Sequence, residues 1–159
     1  MGKAYVWRAA IIAAVVNVVL NPGVAWLETR ELDFVSAARI AAYLVLATMV
    51  LCLLISTLGA RRVHRELRSG HPTPHGGTAE EKRLLAKLPA TPWLFGLLLG
   101  LAFAVVAIVV IAVVELLDFH GFAFGTFVTF MVCYTGGLAF LVMRWTIVRQ
   151  LMEAAARVG

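Results

Sequence analysis

From Leu94 to Val114 the chain carries no polar side chain. At about 1.5 Å rise per residue, a helix over this run is as long as the ~30 Å hydrocarbon core of a bilayer is thick. Lipid leaves no water to satisfy exposed backbone groups, so such a run must form a helix and bond internally. The rest of the chain fits that solvent. Hydrophobic residues make up 62% and charged residues 14% of 159, against about 45–50% and roughly 25% in soluble domains. A chain of this size has too much surface to hide the surplus in its own core.

Three further apolar runs share this character, and spans are expected over about 5–28, 35–59, 93–117 and 122–144. Between the second and third lies the one long polar passage, Ala60 to Pro92, with Arg61, Arg62, Arg65, Arg68, Lys82, Arg83 and Lys87. Positive charge holds such a loop on the cytoplasmic side. With both termini inside as well, 12 of the 14 lysines and arginines are cytoplasmic, and Arg30 and Arg39 lie outside. The expected fold is an all-α integral membrane protein of four helices in two antiparallel hairpins. Residues 1–59 form the first hairpin, 60–92 a basic connector, 93–147 the second hairpin, and 148–159 an amphipathic tail. A plasma membrane of the bacterial inner type is the expected location.

Local signals refine this outline. Gly23-Val24-Ala25 has the form of a cleavage site, but Asn17 interrupts the preceding apolar run, and we read an uncleaved first span. Asn21-Pro22-Gly23 predicts a kink or an early helix end. Trp26 suits the interfacial belt, and Asp33 is a candidate N-cap for the second helix. Nothing breaks that helix before Gly70. Thr78 and Glu81 have capping-box spacing for a short interfacial helix from Ala79 to Leu88. Leu32-Asp33-Phe34 recurs as Leu117-Asp118-Phe119, and Val63 and Val148 match at the same offset of 85, which suggests a tandem repeat of the two hairpins.

In lipid, helices associate through close packing and hydrogen bonds rather than hydrophobic drive. Each span offers a stripe for this. The first has Ala10, Ala14, Asn17, Asn21, Ala25 and Glu28 at three- and four-residue steps; the second Ala41, Thr48, Cys52, Ser56 and Gly59. The third has Gly96, Gly100 and Ala104; the fourth Gly125, Thr129, Cys133 and Gly136. Packing explains all four. Asn17 and Asn21 share one side of a helix; with Glu28 and Glu115 they form a candidate polar path, although asparagines more often tie helices together. Arg39 sits near a helix N-terminus, where the dipole disfavours it, so an ion pair with a carboxylate is expected, Glu115 or else Glu28.

Other chemistry finds little footing. Cys52 and Cys133 lie inside apolar runs, outside any Cys-x-x-Cys or zinc spacing. His71 and His75 are separated by two prolines, so no metal site is read there, and no span histidine is present to ligate haem or activate a serine. We expect no enzyme, metal or cofactor. The net charge of +5 sits beside spans, so anionic headgroups, met by Arg61, Arg62, Lys82, Arg83 and Lys87, are the expected partner rather than nucleic acid. Two functional classes remain. One is an oligomeric channel or transporter for small solutes or cations. The other is a non-catalytic accessory or assembly subunit of a larger membrane complex, since the middle of the spans lacks the ionisable residues that mark ion paths.

Overall fold

The computed structural model describes residues 2–29, 31–69, 80, 83, 88–89, 91–118 and 120–158. Among these residues, four helices and two short strands follow in the order α1 (Gly2–Thr29), β1 (Phe34–Ser36), α2 (Ala37–Arg68), α3 (Pro92–Leu116), β2 (Gly121–Ala123) and α4 (Phe124–Val158). Three helices, α2, α3 and α4, are long and apolar enough to cross a membrane; the described apolar stretch of α1 is Ala4–Leu20. The protein is therefore helical and of membrane type. Its outer surface agrees, for Val19, Leu46, Val105 and Val106 are each more than half exposed. In water, an apolar surface of that extent drives association.

The helix boundaries have local causes. α1 does not stop at Pro22 but runs on to Thr29, because one missing donor weakens a helix without obliging it to end. The cap position of α2 falls to Ser36 rather than Asp33. The carbonyl of Asp33 is occupied elsewhere, accepting from Phe124 N–H at 3.2 Å. α3 opens with Thr91 as N-cap and Pro92 at its first position, where a missing N–H costs no helical bond. It closes at Leu117, followed by Asp118 with φ 70°, a left-handed conformation aspartate tolerates. α2 has 32 residues and so is about 48 Å long; its surplus over a bilayer core is the arginine-rich end, Arg61 to Arg68.

Lateral packing departs from the expected hairpins. The two helices of each expected hairpin are not each other's main neighbours. α1 packs on α4, α3 packs on α2, and α2 and α4 meet in the centre. The two flanking helices thus lie on opposite sides of the central pair. Trp7 meets Phe140 with ring centroids 5.4 Å apart, and α1 touches α2 at one end, where the Tyr5 phenol is buried beside Glu66. A short outer turn does not fix the lateral neighbour here, because lipid solvates the outside of each helix as well as its partner does. α3 approaches α2 closely enough that a Cβ on Gly96 would stand 2.6 Å from the Cys52 carbonyl oxygen.

The central pair is tied at one end by strands. β1 and β2 run antiparallel, with Phe34 opposite Ala123 and Ser36 opposite Gly121. A side chain on Gly121, at φ 149°, would collide with the Val35 carbonyl. Two bonds extend the bridge into the helices: Ala37 N–H donates to His120 O at 2.9 Å, and Phe124 N–H to Asp33 O. These bonds are reciprocal at an offset of 87, since 37 and 124, and 33 and 120, exchange roles. The same offset carries nine of the ten buried positions of α2, Ile40 through Val63, onto buried positions of α4, Phe127 through Gln150. It also carries the Arg62–Glu66 ion pair onto Arg149–Glu153. The Leu-Asp-Phe recurrence at 85 does not share this register: β1 begins at Phe34, whereas Leu117 and Asp118 end α3.

Three clusters fill the core along its length. At the strand end, Val35, Ile40 and Leu44 pack with Ile111, Phe127 and Met131. In the middle, Leu51 and Cys52 meet Phe95, Leu99, Leu138 and Val142. At the other end, Val6, Ala10 and Val63 meet Met143, Ile147 and Leu151.

Candidate functional site

Two polar features stand out from this apolar frame. The first is a seam of hydroxyls along the contact of α2 with α4. Thr48, Ser56 and Thr135 are fully buried and Thr146 nearly so. The Thr48 and Tyr134 hydroxyls lie 2.6 Å apart, and Thr146 donates to Val142 O at 2.8 Å with Ser56 Oγ 3.5 Å away. Thr135 donates to Met131 O at 2.7 Å. Buried hydroxyls need such partners, because hydrocarbon offers none. Each hydroxyl of the seam is thus turned onto a neighbour or onto its own helix.

The second is a groove of about 1200 Å³ where the far ends of α2 and α4 meet the start of α3. Arg61, Arg62, Arg65 and Arg68 of α2 line it, together with His64, Thr91, Trp93, Gln150 and Glu153. Its one lining carboxylate among the described residues, Glu153, and the neighbouring Glu66 are both engaged. Arg62 Nε lies 3.0 Å from Glu66 Oε1, and Arg149 Nε lies 3.0 Å from Glu153 Oε1. Arg149 is buried, with its guanidinium 5.3 Å from the centre of the Phe95 ring, a cation–π distance that offsets part of the cost of burying charge.

The candidate residues of the sequence distribute differently. Asn17 is half-buried and donates to Ala13 O at 2.8 Å on its own helix. The side chains of Asn21 and Glu28 lie outside the described residues. Asn17 and Glu115 belong to α1 and α3, the two opposite flanks, and so do not line one path. Arg39 and Glu115 are both exposed, and no ion pair joins them among the described residues. Arg39 lies off the buried stripe of Ala37, Ile40 and Leu44 that faces the bundle. Gly96 and Gly100 face α2, and Gly136 faces Val18 of α1. Cys133 is exposed, so it takes no part in helix packing, and Thr129 is exposed with it. Of the connector, Arg83 is exposed, whereas Lys82 and Lys87 lie outside the described residues, as do His71 and His75.

Sequence reasoning missed Thr135, Thr146, Arg149 and Gln150. A signal was present. Thr135, Thr146 and Gln150 recur at helical spacing, and the Arg-x-x-x-Glu of 149–153 repeats that of 62–66. No known protein family matches the chain, and neither a curated protein nor a solved structure does so.

Proposed function

We propose that the protein is a four-span integral membrane protein with both termini cytoplasmic, acting as a non-catalytic accessory or assembly subunit of a larger membrane complex. The placement of 12 basic residues on one side and two on the other supports the orientation. A plasma membrane suits that orientation, with anionic headgroups on the cytoplasmic side as lipid partners. One observation carries the functional reading. The hydroxyls between the central helices are turned onto one another and onto their own backbones, while Asn17 and Glu115 sit on opposite flanks. A solute path needs polar groups left available to replace water. The reciprocal register at 87 residues supports a duplication of a two-helix unit, with its axis along the membrane normal.

The competing reading is an oligomeric channel or transporter, with the Asn17 flanks of several copies facing a shared axis. Purification in mild detergent separates the two. The accessory reading expects a stoichiometric second polypeptide in the particle, and proteoliposomes of the isolated chain with no more monovalent-cation flux than empty vesicles. A homo-oligomeric particle whose flux is abolished by Asn17→Leu would overturn it.

A further inference from the structure

We infer that the groove between the inner ends of α2, α3 and α4 binds one phosphate-bearing anionic lipid headgroup, with Gln150 at its floor and Arg61, Arg65 and Arg68 along its wall. The inference rests on the membrane reading above and assigns that reading a specific lipid site.

Gln150 carries the argument. It is 4% exposed and lines the groove, yet its carboxamide makes no hydrogen bond among the described residues. The amide opens to the groove rather than being sealed in the core, and amide donors at the foot of a basic groove suit an anionic oxygen. The wall supplies the charge. Arg61, Arg65 and Arg68 follow at steps of four and three, which place them on one side of α2. The neighbouring carboxylates do not cancel them in full, because Glu66 and Glu153 are held by Arg62 and Arg149. α3 starts at the same place. Its cap residue Thr91 makes no side-chain cap bond, and Pro92 follows it, so the first-turn amides add a positive dipole end to the groove.

Headgroup chemistry is favoured over free phosphate by the apolar side of the groove. Trp93 is 52% exposed and Leu58 56% exposed, and both line it. A tryptophan at the end of a span belongs at the headgroup level, and Leu58 continues towards the hydrocarbon, where an acyl chain would lie. A soluble phosphate makes no use of either.

Native mass spectrometry of the full-length protein in mild detergent tests this, with phosphatidylglycerol, phosphatidylcholine and inorganic phosphate as probes. We expect one phosphatidylglycerol retained in preference to phosphatidylcholine, without displacement by millimolar phosphate. The triple variant Arg61→Gln, Arg65→Gln, Arg68→Gln and the single variant Gln150→Leu should each weaken retention about tenfold or more. Arg8→Gln, on α1 and outside the groove, should leave it unchanged. Equal losses from Arg8→Gln would mean diffuse charge attraction and overturn the site. Displacement by inorganic phosphate would overturn the lipid assignment, and unchanged binding in Gln150→Leu would remove its floor. Should Gln150→Leu fail to give a native unfolding profile, Gln150→Met and the arginine triple decide. Failure of the membrane reading itself would be seen separately, as protein that does not sediment with membranes.

Discussion

Among single residues, Thr48 and Tyr134 make the sharpest contact between the central helices. Their hydroxyls, 2.6 Å apart, come from different halves of the chain. Interhelical hydrogen bonds in membranes are worth roughly 0.6–2 kcal/mol. Thr48→Val and Tyr134→Phe should therefore each destabilise the fold by about 1 kcal/mol, with the double variant losing less than the sum of the two. Reversible unfolding in mixed micelles measures this, and strict additivity would mean the hydroxyls do not interact. At this scale, chemistry alone separated seam from surface only in part. Thr48 and Ser56 were legible as an inward stripe because α2 has few other polar residues. On α4, Thr129 and Cys133 made an equally good stripe by spacing, yet both are exposed while Thr135 and Thr146 are buried. Small residues surround both faces of that helix, so spacing gives no preference between them.

At the scale of elements, the helices were readable and their neighbours were not. Apolar length and charged ends mark each helix, and the arginine-rich continuation of α2 follows from the lack of a breaker before Gly70. Which helix touches which depends on side-chain fit across lipid-solvated faces, and that leaves no periodic trace. The strands were also invisible, being three residues long and set between a turn and a helix start. The exchanged packing makes a direct prediction. In a background carrying Cys52→Ala and Cys133→Ser, the pair Trp7→Cys with Phe140→Cys should cross-link with a short bifunctional reagent. The pair Val15→Cys with Leu46→Cys, on α1 and α2, should not. Efficient linking of the second pair and none of the first would restore the simple hairpins. Gel mobility after oxidant-free cross-linking reads the result.

Taken as a whole, the molecule is two helix pairs that complete one another. Each half contributes one helix to the centre and lays its other helix on the centre of its counterpart. Residues 1–75 and 76–159, expressed as separate chains in one cell, should therefore recover each other and co-purify at equal stoichiometry. Either piece alone should be degraded or aggregate, because α1 and α3 would each lack the surface they cover. Membrane yields and co-purification check this, and a stable 1–75 piece on its own would contradict it.

The contact of α1 with α4 also imposes an order of events during synthesis. α1 is made well before the α4 it packs on. Some 95 residues separate Thr29 from Phe124, and at ribosomal speeds of roughly 5–20 residues per second the delay is about 5–20 s. Throughout that interval the small-residue face around Ala10 and Ala14 stands against lipid. On a crowded message, the first α4 to drift past can belong to a sister chain, so slow translation or dense polysomes would favour interlocked dimers over monomers.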